Sequence, residues 1–199
     1  MALAVLEANN IREQYEQYSL RGADDEVSIE DLKDVISEYV PIKIEVEELD
    51  WNAQRYWGTI QRFDNLARIY VAMQGEKDEP GRLSYCEQRF VVAKEMGHLV
   101  IDSPDNFTVN AVDLVEELCA PMLAKLDGRH QLQSEYITEI FAIECLFPYN
   151  RRQAHIQQIR DGSTTALEVA THFRVPEKQV RVAMHPDYEQ ACRHIYKLL

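Results

Sequence analysis

The chain is poor in glycine and proline, with seven of each in 199 residues. That scarcity excludes collagen-like and Pro/Gly-rich disordered architectures, and the remaining composition, 46% apolar and 28% charged, suits a folded core. Cysteine is scarce as well. Cys86, Cys119, Cys145 and Cys192 stand too far apart for a CxxC-type zinc site, so reduced thiols in helical segments are expected. No stretch approaches the roughly 20 apolar residues of a membrane span. The opening MALAVLEANNIREQYEQY lacks a basic n-region and a small-residue cleavage site, so a cytoplasmic protein without a membrane partner is expected. Positive charge is also in deficit: 21 Lys and Arg against 34 Asp and Glu give −13, which argues against direct binding of nucleic acid. The deficit is uneven. Residues 1–150 hold 13 basic and 29 acidic side chains, net −16, and residues 151–199 hold 8 and 5, net +3.

What is present is helical and strand periodicity in a definite order. Ser28 can cap a helix with Asp31 at its third position, and Ile29, Leu32, Val35, Ile36 and Tyr39 recur at helical spacing until Pro41. Ile42, Ile44 and Val46 alternate with Lys43 and Glu45, as in a half-buried strand. Trp57–Phe63 and Ala67–Met73 read as two more strands, joined into a hairpin by Asp64-Asn65. The longest helical pattern of this half runs from Leu83 to Ile101. A helix over 110–126, a further one over about 132–147 ended by Pro148, and helices over 151–160 and 163–173 follow, with two more after Pro176 and Pro186. The pattern gives an α+β domain with a strand cluster between 42 and 73.

Near the end of the 83–101 helix, residues 94–98 read Lys-Glu-Met-Gly-His. This is the zinc-peptidase signature H-E-x-x-H with lysine for its first histidine. The intact motif needs two imidazoles at i and i+4, because the helical repeat sets both on one face at ligand distance beside a glutamate that serves as general base. Glu95 and His98 are in place; Lys94 supplies an ammonium where a neutral nitrogen is required. Releasing its proton at pH 7 costs about 4 to 5 kcal/mol from an ordinary pKa near 10.4. Alone, KExxH also fits an ordinary helix surface.

A second helix carries the comparison further. From Ser134 the chain runs SEYITEIFAIECLFP, and Arg89-Phe90 precede the first motif. In this order the motifs resemble the ImmA/IrrE family of small metallo-endopeptidase domains, in which Phe141, Ala142, Leu146 and Pro148 have counterparts on the second helix. The resemblance covers roughly residues 28–185 and implies a minimal zincin-like fold with a small, mostly antiparallel sheet. It sets Glu135 at the third metal-ligand position, with His98 as a second ligand and Glu95 as the catalytic base in an active member. The chain departs from the pattern at Lys94, at Thr138 where alanine is usual, and at Glu139 where asparagine is usual. The 105–130 segment reads as an insertion. His130 is a candidate substitute ligand, although its GRHQ setting looks like a loop.

Three functions are open on this reading. In the first, the Lys94 ammonium takes the place of the missing cation, pairs with Glu135 and also Glu139, and leaves a degenerate peptidase without zinc that regulates by protein recognition. The resemblance suggests a helix-turn-helix repressor as its partner, in stress response or control of mobile elements. In the second, zinc is retained and the chain cleaves such a repressor. The third rests on residues 166–184, whose Ala170, Phe173, Val175 and Val180 have helix-turn-helix spacing with Arg174, Lys178 and Arg181 as a basic, DNA-binding face. The expected division is a helical extension over 1–27, a core over 28–150 and a helical tail over 151–199.

Overall fold

The computed structural model describes residues 1–19, 26–54, 57–76, 79–102 and 130–198. Helices α1 (Ala2–Tyr18) and α2 (Ile29–Tyr39) precede strands β1 (Lys43–Leu49), β2 (Gly58–Arg62) and β3 (Leu66–Ala72). Helices α3 (Tyr85–Ile101), α4 (His130–Leu146), α5 (Tyr149–Arg160), α6 (Ala166–Phe173), α7 (Glu177–Ala183) and α8 (Pro186–Tyr196) follow. The α+β class expected from periodicity is what the chain adopts. The expected helix over 110–126 and the 105–130 insertion lie outside the described residues.

Local chemistry explains most element boundaries. Ser28 Oγ accepts the Asp31 amide at 3.2 Å and opens α2. Ser84 and Glu87 form a reciprocal capping box that fixes the start of α3, satisfying amides that a helix N-terminus otherwise leaves unpaired. Thr165 and Glu168 do the same for α6. That helix ends at Arg174, which takes a left-handed conformation with φ 53° and ψ 44°.

The sheet order is β1-β3-β2. β2 and β3 form the expected antiparallel hairpin, but β1 runs parallel to β3 from Lys43↔Leu66 to Leu49↔Ala72. The sheet is therefore mixed, which corrects the expectation of a mostly antiparallel one. The residues between β1 and β2 carry the chain past its sequence neighbour, so the hairpin sets β3 in the middle. Alternation of apolar residues marks a face but not a direction, and so does not reveal this arrangement. β3 is the best-buried strand, through Ala67, Ile69, Val71 and Ala72.

Helix α3 packs on β3 and β2 with one side and on α4 with another. It is therefore buried nearly all round, from Phe90 and Val91 to Leu99, Val100 and Ile101. α4 presents Ile140, Phe141, Ile143 and Leu146 to the same core. Full burial of each such side chain stabilises by about 1.5 to 3 kcal/mol. α1 packs along α4 and α2, and its small Ala4 and Ala8 with Val5 and Ile11 are completely buried.

Gly97 sets the spacing of the two motif helices. A Cβ there would lie 2.8 Å from Phe141 Cδ1 and 3.4 Å from Thr138 Cβ, so the missing side chain is what admits α4. Gly58 does the same between β2 and α3, where a Cβ would meet Val91 Cγ1 at 2.4 Å and the Tyr70 carbonyl at 3.2 Å.

Beyond Pro148, a buried polar cluster holds the tail to α4. Arg152 Nη2 donates to Glu144 Oε1 at 2.7 Å and Arg152 Nη1 to the Phe147 carbonyl at 2.8 Å, with both paired side chains wholly inaccessible. The Tyr188 hydroxyl donates to the same carboxylate at 3.0 Å, and Cys192 lies 3.2 Å from Arg152 Nη2. A buried ion pair survives only with such additional hydrogen bonds.

Candidate metal centre and its altered ligand position

Helices α3 and α4 bring together the residues that the motifs singled out. Lys94 Nζ donates to Glu135 Oε2 at 2.6 Å and lies 3.3 Å from Glu95 Oε1. His98 Nε2 lies 3.4 Å from Glu135 Oε1. Four side chains from two helices thus meet across one boundary. Glu139, expected as a second partner for Lys94, instead accepts from Gln179 Nε2 at 3.2 Å; Glu95 takes the place expected for it.

Four further residues complete the cluster, and motif reading had not assigned them to it. His98 Nδ1 is 2.7 Å from Asp102 Oδ2. Ser134 Oγ lies 2.9 Å from Asp102 Oδ1 and 3.3 Å from His98 Nδ1. Thr138 Oγ1 lies 3.3 Å from His98 Nε2. Arg62, at the end of β2, donates to the His98 carbonyl and stands 3.9 Å from Asp102 Oδ2. Asp102 could have been found from its i+4 spacing after His98, Thr138 from its i+3 spacing after Glu135, and Ser134 from its place one turn before Thr138. Arg62 carries no local signal, since 36 residues separate it from His98.

The electrostatics follow from burial and partners. Burial alone would lower the pKa of the Lys94 ammonium, but the Glu95 charge and the hydrogen bond to Glu135 outweigh it, and the pKa stands above its ordinary value. Lys94 therefore remains a cation at neutral pH. Burial pushes the Asp102 carboxyl up, yet hydrogen bonds with His98 and Ser134 more than offset this and hold it below the usual range. Glu95 is almost fully buried, at 5% side-chain exposure, whereas Glu135 is 54% exposed.

A cavity of about 450 Å³ opens over this cluster, lined by Gly58, Thr59, Ile60 and Arg62 on the strand side and by Glu95, His98 and Glu135 on the helices. A second, of about 310 Å³, shares Lys94 and Glu135 and extends past Trp57, Tyr136, Glu139 and Lys178. The Lys94–Glu135 pair thus sits on the divide between two halves of one groove. β2, an edge strand, forms its wall.

The residues present do not fit a zinc ion. A tetrahedral catalytic site takes three neutral or anionic protein donors and a water; here His98 and Glu135 supply two, and position 94 points an ammonium at the carboxylate. Among the described residues, no group of three or more His, Cys, Asp or Glu side chains is placed to hold a metal. The backbone of His130 begins α4, two residues before the expected start of that helix.

Of the tail's basic residues, Lys178 and Arg181 share α7 and line one cavity. Arg174 Nε lies 3.7 Å from Glu26, Arg181 pairs with Glu177 one turn back, and Lys178 is exposed beside the groove. Arg89, from the first motif, is a structural hub. Its guanidinium donates to the Val27 carbonyl at 2.7 Å, to the Arg174 carbonyl at 3.2 Å and to Glu26.

A Glu-x-Gly-His helix crossed by a second helix bearing a glutamate over a groove with an edge strand defines a metallopeptidase-like class of site. The family model of the IrrE N-terminal-like domain, a peptidase family, matches residues 81–185, and the chain belongs to that family. The match spans both motif helices and most of the tail, and begins after the strands. Comparison with curated proteins and with solved structures found no match. No described helix is long and apolar enough to cross a membrane.

Proposed function

We propose that this chain is a degenerate metallopeptidase-like domain that regulates by binding a protein segment in its groove, with a side-chain cation in place of a catalytic metal. One observation carries the reading: Lys94 Nζ lies 2.6 Å from Glu135 and 3.3 Å from Glu95, bridging the two carboxylates. An ammonium there offsets half of their charge without a metal, and a divalent ion brought to the same place meets a repulsion of several kcal/mol from it.

Edge strand β2 can add a strand from an extended partner through its outer backbone groups, with side chains entering the two cavities. The partner in this proposal is a helix-turn-helix repressor, as the resemblance of the two motif helices suggests, held without cleavage. Two measurements test this. Protein purified without added metal contains far less than one zinc per chain by elemental analysis. A co-expressed repressor of this type elutes with it intact in size-exclusion chromatography. Stoichiometric zinc, or chelator-sensitive cleavage lost in E95Q, sinks the reading.

An active peptidase is the second reading. It is favoured by one arrangement: Asp102 holds His98 Nδ1 and leaves Nε2 turned toward Glu135, with Glu95 lining the same cavity. A carboxylate behind an imidazole is how a metal-binding histidine is commonly oriented. DNA binding stands behind both readings, because Arg174 and Arg181 are engaged with Glu26 and Glu177.

A further inference from the structure

Lys94 accounts for the carboxylates of the altered site but not for its imidazole. His98 is 7% exposed, and Nδ1 is held by Asp102 and Ser134. A metal could reach this ring only through Nε2. That nitrogen has Thr138 Oγ1 at 3.3 Å and Glu135 Oε1 at 3.4 Å; Glu135 is turned to Lys94 and half exposed, whereas Thr138 is completely buried.

The hydroxyl is fixed in place by its own helix. Thr138 Oγ1 lies 3.0 Å from the Ser134 carbonyl and 3.1 Å from the Glu135 carbonyl, the back-bonding geometry of a helical threonine. With one proton, it either keeps the helix bond and accepts from a protonated Nε2, or releases the carbonyl and donates to an unprotonated one. A buried imidazole nitrogen that has lost its partner carries a desolvation penalty, and the hydroxyl removes it.

We infer that the metal-free site is closed by two side chains acting together: Lys94 holds the carboxylates and the Thr138 hydroxyl holds His98 Nε2, so a zinc site is latent behind both. The inference rests on the metal-free reading proposed above. It differs in attributing half of the closure to a residue four positions from Lys94's partner's neighbour Ser134, on the opposite side of the imidazole from Asp102.

The test uses the full chain and zinc alone. Wild type, T138A, K94H, K94H/T138A and K94H/T138S are titrated with buffered zinc, with elemental analysis for stoichiometry and circular dichroism for folding. K94H/T138A is expected to bind one zinc per chain at least tenfold more tightly than K94H. K94H/T138S, which keeps the hydroxyl, should match K94H, and T138A should bind none. Equal affinity of K94H and K94H/T138A overturns the role of Thr138, and a folded K94H/T138A without zinc overturns the latent site. Zinc in the wild type would overturn the metal-free reading itself and is seen before any variant is made.

A metal-independent measurement reads the same contact. In histidine ¹⁵N spectra, T138A should move the His98 Nε2 resonance and leave Nδ1 in place; an unmoved Nε2 refutes the inference. T138V replaces T138A there if the alanine variant does not fold.

Discussion

Replacing Lys94 by methionine keeps most of the side chain's volume and removes only its charge, so the consequences can be worked out from the two carboxylates it bridges. Glu95 is nearly inaccessible at 5% exposure, and the ion pair recorded for it is with Lys94 at 3.3 Å. Left without that cation, a buried carboxylate costs about 1 to 3 kcal/mol. Glu135 is 54% exposed and is screened by water, so its share, although its contact is the shorter one, is below about 1 kcal/mol. The K94M protein should therefore be about 2 kcal/mol less stable. For a chain of this size that lowers Tm by about 4 to 8 °C. Thermal unfolding at pH 7, followed by circular dichroism, measures it. The cause is isolated by K94M/E95Q, which removes the stranded charge and should recover most of the loss, whereas K94M/E135Q should recover little. If K94M is as stable as the wild type, or if E95Q deepens the loss, the ammonium does not balance these carboxylates and the reasoning fails.

Three other outcomes are expected. R152M strands Glu144, which is wholly buried, and should cost about 3 to 5 kcal/mol in urea unfolding, with R152M/E144Q milder than R152M alone. G97A drives a methyl against Phe141; overpacking of about 1 to 3 kcal/mol exceeds the helix-propensity gain of up to about 1 kcal/mol. The net loss should be up to about 2 kcal/mol and should disappear in G97A/F141L. Burial raises the pKa of Cys145, Cys192 and Tyr188 above their ordinary values, so the folded state keeps protons that the unfolded chain releases. The stability tied to these groups is complete below the ordinary thiol pKa of about 8.5 and is lost progressively above it, through the phenol range near 10. Unfolding midpoints should fall between pH 8 and 10.5. A midpoint unchanged over that range, or rapid alkylation of Cys192 in the native protein, contradicts it.

Much of the site was legible because a helix converts spacing into position. Lys94, Glu95 and His98 had to share one helix surface, and Glu135 one turn before Glu139 had to choose which of them faced it. The alternative partner, Glu139, could not be separated from Glu95 by spacing, because its hydrogen bond to Gln179 depends on how the tail folds back. Thr138 stood out only as a departure from a pattern. Its contact with His98 exists because Gly97 admits α4 closely, a distance that no sequence position records. The hairpin from 58 to 72 was readable from alternation and its turn. The parallel partner of β3 was not, since the direction of β1 is set by the path between strands and leaves side-chain alternation unchanged.

The carboxylate of Glu144 receives Tyr188 and Cys192 from 44 and 48 residues further along. Its enclosure needs α8 as well as Arg152, so the two ends of α4 depend on different parts of the chain. The end with Glu135 and Thr138 can settle against α3, which also holds it in the folded chain. The end with Glu144 takes two of its partners from the last helix in the described fold, over separations of 44 and 48 residues against 40 and 41 for the α3 end, so both ends rest on long-range contacts. Loosening α8 at Tyr188 or Cys192 should therefore be felt at Glu144 and leave the Lys94–Glu135 pair in place.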